Sequence, residues 1–135
     1  MTPLLLDSGV WLAARDADDA NHRAAVTLLD GERRCTALDL TLYEVANVAM
    51  SSWRDRQRAE VVAKLVSATC ADTLVRIDEA VVAQAIEVAE EHGISVYDAT
   101  YAAVSRLNGW TLVSTDIRDL VSRGLAITPE EAAAN

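Results

Sequence analysis

Short apolar runs alternate with longer segments whose apolar residues recur at helical spacing, along the whole chain. Pro3 to Leu6 predicts a first strand that ends at Asp7-Ser8-Gly9, and a short helix over Val10 to Arg15 follows. A second helix is expected from Asn21 to Leu29, capped by Asp18 or Asp19 and stopped at Gly31. Cys35 to Leu38 reads as strand two. From Leu40 a long helix carries Tyr43, Ala46, Val48 and Met50 among its apolar positions, with a break near Arg54 to Arg58. Glu60 to Cys70 continues as a helix with Val61, Leu65 and Ala68 at helical spacing. Leu74 to Ile77 is strand three, and Asp78 to His92 a helix that buries Val82, Ile86 and Val88 and stops at Gly93. Val96 to Leu107 forms the next helix, ended by Asn108-Gly109. Trp110 to Val113 is strand four, Ile117 to Ser122 a short helix, and Leu125 to Thr128 a last strand.

Strands alternating with helices predict an α/β fold with a mostly parallel sheet of four to five strands flanked by helices. With 135 residues, no internal repeat and no Gly/Ser/Pro-rich linker, the chain is expected to form one domain over residues 1–135.

Asp7 ends strand one, Asp116 and Asp119 follow strand four, and Glu44 and Asp98 fall in the first turns of two helices. In open α/β sheets these carboxyl-terminal turns gather around the ligand crevice, so five acids from four segments can meet there. Each also has a structural explanation. Thr41-x-x-Glu44 and Ser95-x-x-Asp98 match the capping box, and Asp116 suits a helix N-cap with Asp119 near the positive helix end. Asp7 is the hardest to dismiss, because it follows the interior run Leu4-Leu5-Leu6. Carboxylates forced together repel unless a cation sits among them, and an all-oxygen set selects a hard ion, Mg²⁺ or Mn²⁺. The two His are not clustered with Cys, which argues against zinc.

Composition narrows the partners. A net charge of −9 opposes simple binding to nucleic acid or anionic membranes, although a bound cation reverses the local potential. Eleven of the twelve basic residues are Arg, with Arg54, Arg56 and Arg58 close together. Cys35 and Cys70 form no C-x-x-C pair and are expected to be reduced core residues, and the start of the chain lacks a basic signal-peptide region, so a cytoplasmic protein without membrane contact is expected.

Four stretches in order, LLLDSGVWLA, LTLYEVANV, VYDATYAAVSRLNGWTLVSTDIRDL and the closing GLAI, together resemble the PIN-domain ribonucleases, in particular the VapC-like toxins of type II toxin–antitoxin pairs. The resemblance implies a PIN-like three-layer fold. It also implies a metal-binding quartet of Asp7, Glu44, Asp98 and Asp116, with Asp119 as a further acid three residues on. The implied chemistry is Mg²⁺- or Mn²⁺-dependent hydrolysis of RNA phosphodiesters, with Ser8, Ser114 and Thr115 holding the acids and Asn47 bracing the turn or touching substrate. Where the family often has a hydroxyl pair after its first Asp, this chain has Ser8 then Gly9. Arg54, Arg56 and Arg58 are candidate contacts for RNA phosphates. A homodimer and a cognate antitoxin partner are implied as well; Trp11, Trp53 and Tyr43 could line its groove, though each more often belongs to a core.

Three other readings fall away. A receiver domain wants a late Lys, and the only one is Lys64, in a mid-chain helix; a phosphatase wants D-x-D where Asp7-Ser8-Gly9 stands; a dinucleotide site wants G-x-G-x-x-G. The surviving alternative is a catalytically silent PIN-fold protein that works by binding a protein partner.

Overall fold

The computed structural model describes residues 1–135. Three short parallel strands, β1 (Leu4–Leu6), β2 (Cys35–Thr36) and β3 (Thr111–Val113), lie in the order β2-β1-β3, with Leu4 opposite both Cys35 and Thr111. Two more segments join by single parallel bridges, Val75 beside Leu38 and Ile127 beside Val113. The segments expected as strands at 74–77 and 125–128 thus touch the sheet without forming ladders, and the sheet has three strands rather than four or five. The caps of the next helices, Asp78 and Thr128, follow each bridge within three residues.

Seven α-helices surround the sheet: α1 (Ser8–Ala14), α2 (His22–Asp30), α3 (Asp39–Val48), α4 (Arg56–Thr69), α5 (Glu79–His92), α6 (Val96–Asn108) and α7 (Pro129–Ala134). Asp7, Asp55, Asp78, Ser95 and Thr128 each accept the backbone amide three residues on, satisfying a donor that the first turn leaves without a partner. Capped by Asp55, α4 starts at Arg56, four residues before the expected Glu60. The break between α3 and α4 is a π-helical turn over Ala49–Trp53, closed by Arg54 in the left-handed region at φ 54°. Asp18 and Asp19 do not cap α2; Asn21 precedes it without a side-chain bond. Helix α7 has no counterpart among the predicted elements, although Thr128-Pro129-Glu130-Glu131 carries the cap, the N1 proline and the first-turn acids of a helix start.

Side-chain alternation along β1 divides the core into layers. Leu4 and Leu6 point into a large cluster with Val10, Trp11, Val45, Val62 and Val66, whereas Leu5 joins Leu38, Val81, Tyr101, Val104 and Leu112 on the other face. A third cluster of Ala85, Val88, Ala99, Ala102 and Ala103 packs α5 onto α6, small residues allowing close approach. The helical phases differ from expectation by one residue. Val81 and Ala85 are buried while Val82 and Ile86 are exposed, Ile86 by 54%, and Val62 and Val66 are buried while Val61 and Ala68 are exposed. Paired valines at 61–62 and 81–82 offer two adjacent apolar stripes, and only the packing partner selects between them. Cys35 and Cys70 are free and buried, and burial pushes the Cys70 thiol up to about 11. No helix is long and apolar enough to cross a membrane.

Candidate metal centre

Beyond the carboxyl ends of β1 and β3 the chain leaves the sheet through acids. Asp7 follows Leu6 directly; it is buried, and its Oδ1 accepts the Val10 amide at 3.3 Å as the cap of α1. Its Oδ2 accepts a short hydrogen bond from the buried Ser114 hydroxyl. That hydroxyl accepts the Asp116 amide at 2.9 Å, so Ser114 ties the end of β1 to the turn after β3. Asp116 then accepts the Asp119 amide at 2.9 Å and opens a π-helical turn over Ile117–Val121.

Asp98, Asp116 and Asp119 come together: one carboxylate oxygen from each lies within 4.8 Å of the other two. All three are half-buried. Ser95 caps α6 by accepting the Asp98 amide at 3.0 Å, which fixes the backbone of Asp98 at the helix start. Burial and then the negative charge of Asp116 raise the Asp98 carboxyl, opposed by Ser95, with Asp119 raising it further. Three carboxylates this close, with only an exposed Arg118 contact at 3.6 Å to Asp119, have little counter-charge among the protein's own groups. The donor set is all carboxylate oxygen, which fits a hard divalent cation and not a soft one.

Glu44 adjoins this group from α3. It does not complete a capping box with Thr41 and does not lie in a first turn. Leu38 is the N-cap, Thr41 is the third helical residue, and its hydroxyl accepts the Leu38 amide at 3.1 Å. Instead Glu44 accepts the Tyr101 hydroxyl at 2.6 Å, and Thr41 lies 2.8 Å from the same hydroxyl. Burial, then the charge of Glu44, holds the Tyr101 phenol well above its usual range, so it keeps its proton and donates to Glu44. It must then accept from Thr41, which in turn accepts from the Leu38 amide. The donors therefore run in one direction from the end of the sheet to Glu44. Burial raises the Glu44 carboxyl, Tyr101 opposes this, and Asp98 adds to it. Asp7 is pushed up to about 7, by burial first, against Ser114 and Val10, with Glu44 raising it further and Thr115 lowering it.

The acids expected to meet thus divide. Asp98, Asp116 and Asp119 form the close group, Glu44 is near enough to Asp98 for their charges to repel, and Asp7 has its oxygens held by Ser114 and Val10. Gly9 explains the departure from the hydroxyl pair: a Cβ at that position would collide with the Thr115 hydroxyl, so Thr115 fills the space instead. Ser8 is half-buried, and Asn47 is exposed one turn beyond Tyr43. Arg56 pairs with Glu60 at 3.2 Å, and Arg58 stacks over Trp53 at 3.8 Å while donating to the Arg15 carbonyl. The guanidinium of Arg54 makes no such bond. Trp11 is core, donating to the Leu6 carbonyl; Tyr43 is 77% exposed and not core. Sequence reasoning missed Tyr101 altogether and took Thr41 for a cap. Tyr101 follows Tyr97 by one helical turn, a spacing that marks a shared face without showing what lies opposite.

A mostly parallel sheet between helical layers, with acids at its carboxyl edge, defines a class that the comparisons name: residues 4–123 match the PIN domain, and the chain belongs to that family. Among solved structures, the chain is similar to a Pyrobaculum aerophilum protein at 24% identity and a TM-score of 0.74, covering 98% of this chain and 88% of that one. It is similar to the Mycobacterium tuberculosis toxin VapC20, described as cleaving the sarcin-ricin loop, at 23% identity and 0.73, covering 90% and 95%. A toxin–antitoxin complex from Klebsiella pneumoniae aligns at 16% identity and 0.70, covering 93% and 97%. These likenesses establish the fold. No curated protein matches the chain.

Proposed function

We propose that this chain is a metal-dependent endoribonuclease acting as the toxin of a toxin–antitoxin pair, with residues 1–135 as a single nuclease domain. The observation that carries the reading is the convergence of Asp98, Asp116 and Asp119 within 4.8 Å, with Glu44 beside them, at the carboxyl edge of a PIN-family sheet. Asp98, Asp116 and Asp119 would hold a Mg²⁺ or Mn²⁺ ion, and Glu44 would meet it or orient water. Such a cation, when bound, supplies a Lewis acid for the phosphoryl group and lowers the pKa of water. Tyr101 opposes the upward shift that burial imposes on the Glu44 carboxyl and holds it by a hydrogen bond at 2.6 Å. Ser114 holds Asp7 and the Asp116 turn together, so that the acids keep their spacing as substrate enters. Arg54, with its guanidinium unpaired, is better disposed to meet RNA phosphate than Arg56 or Arg58.

The nuclease reading is supported by VapC20, a protein of this fold described as cleaving the sarcin-ricin loop, and an antitoxin partner by the Klebsiella complex. A homodimer in the cytoplasm completes the proposal. The test is cleavage of total RNA with Mg²⁺ or Mn²⁺, repeated with EDTA and with Asp98→Asn. Cutting is expected to stop with EDTA and to fall more than about 100-fold in the variant, since loss of a direct ligand exceeds the effect of removing a supporting contact. A folded wild-type protein that cuts no RNA with either ion returns the chain to the silent, partner-binding alternative.

A further inference from the structure

Gly9 is the second residue of α1 and stands two positions after Asp7. Its backbone is not left-handed, unlike those of Gly93, Gly109 and Gly124, so no turn demands a glycine there. A glycine inside a helix is costly against alanine, because it loses more backbone freedom on folding. Space is what requires it. The nearest atoms around an added Cβ all belong to Thr115: the hydroxyl oxygen would overlap it, and the Thr115 Cβ and Cγ2 would lie at 3.2 and 3.4 Å. Rotating the Thr115 side chain would turn the oxygen away. It would still leave the two Cβ positions 3.2 Å apart, close enough that the backbone itself must yield.

The backbone that would yield is the one that carries the acids. Thr115 lies between Ser114, whose hydroxyl donates to Asp7, and Asp116 of the close group. Its own amide donates to the Asp7 carboxylate, and the Val10 amide holds the same carboxylate from α1. Asp7 thus joins the first turn of α1 to the turn after β3 through polar bonds. The Thr115 side chain, seated on the bare Cα of Gly9, joins the same two turns through contact. The polar bonds set direction, but contact sets the distance, because packed atoms resist overlap steeply and pass strain on to their neighbours.

We propose that Gly9 and Thr115 are a matched positioning pair that sets how close the Asp116 turn stands to α1, and through it the spacing of Asp98, Asp116 and Asp119 around a divalent cation. Neither residue is offered as a ligand; both act through Asp116. The proposal rests on the metal-dependent reading of the site. A methyl at position 9 pushes the turn outward, and loss of the side chain at 115 lets it drift inward. Either change takes the carboxylates off the spacing that a small hard ion demands. The two changes together refill the contact, so the methyl that harms the parent protein should help once position 115 is bare.

The test is a Mn²⁺ titration of the full-length, metal-free protein, followed by the electron paramagnetic resonance signal of free Mn²⁺, with thermal melts alongside. Gly9→Ala and Thr115→Gly are each expected to weaken Mn²⁺ binding about 10-fold, the lower end of the range for groups that support a metal ligand. The protein carrying both changes should bind within about threefold of the parent and more tightly than Thr115→Gly alone, a coupling of the sign expected when two side chains share one space. Thr115→Val keeps the shape without the hydroxyl and should titrate as the parent does. Single variants that melt lower but bind Mn²⁺ as the parent does would make the pair merely structural and overturn the proposal. If Gly9→Ala does not fold, the doubly changed protein still decides: binding no tighter than that of Thr115→Gly overturns the pairing. A parent that binds no Mn²⁺ would sink the metal-dependent reading and this proposal together, whereas a parent that binds it without the reversal sinks the pair alone.

Discussion

Residues 41–44 and 95–98 share one pattern, a hydroxyl residue, an apolar residue, a Tyr and an acid, and the fold uses them in opposite ways. Ser95 is a true N-cap whose hydroxyl takes the amide of Asp98, so the acid sits in the first turn with its carboxylate facing Asp116 and Asp119. Thr41 is already three residues into its helix, because α3 starts as soon as the chain leaves the sheet at Leu38. Its hydroxyl looks back to Leu38 and across to Tyr101, and Glu44 is fixed from another helix. One acid is placed by its own helix end, the other by a tertiary bond. A local motif therefore states which groups are near one another in sequence, and the start of the helix decides what each can reach.

Breaking the tertiary hold should have the largest effect. Tyr101→Phe removes the only hydrogen bond to Glu44 and is expected to lower Mn²⁺ affinity and turnover by about 10- to 100-fold, the range for contacts that support a metal ligand. Thr41→Val should lose a similar share and Thr41→Ser very little. A Mn²⁺ titration of Tyr101→Phe that overlays the wild type would show that Glu44 keeps its place without the phenol.

A smaller effect should come from pH acting on the metal-free protein. Asp7, which Glu44 also repels, has its carboxyl raised from 3.8 to about 7, so the folded state holds a proton that the unfolded chain has released. Stability from that proton is complete below about pH 4 and is lost as pH rises to about 7. The difference amounts to at most about 4 kcal/mol. Denaturant melts between pH 4 and 8 should show this decline, Asp7→Asn should flatten most of it, and Mn²⁺ should restore stability at the upper end. A wild-type profile already flat over that range would mean that Asp7 is solvated in the native state.

Least of all should follow from loss of the local cap. Ser95→Ala is expected to reduce stability by about 1 kcal/mol while cleavage stays within about threefold of wild type. If it instead abolishes cleavage as Tyr101→Phe does, the two stretches are more alike in use than their geometry indicates.

Much of this protein was readable without coordinates. Alternation of apolar runs with helical periods marked the parallel α/β plan, and the order of Asp7, Glu44, Asp98 and Asp116 marked the family, because strand ends and helix starts are local events written in a few adjacent residues. The second stretch was read correctly as a cap for the same reason. The folded chain alone decided that Val75 and Ile127 form bridges and not ladders, that Val62 and Val81 face inward while Val61 and Val82 do not, and that Asp119 joins Asp98 and Asp116. It alone brought Tyr101 to Glu44 across 57 positions. Each of these depends on which surface packs opposite. A periodic pattern specifies that a face is apolar or that a group can hydrogen-bond, whereas the identity of its partner is set by the mutual docking of helices and sheet, which involves the whole chain at once.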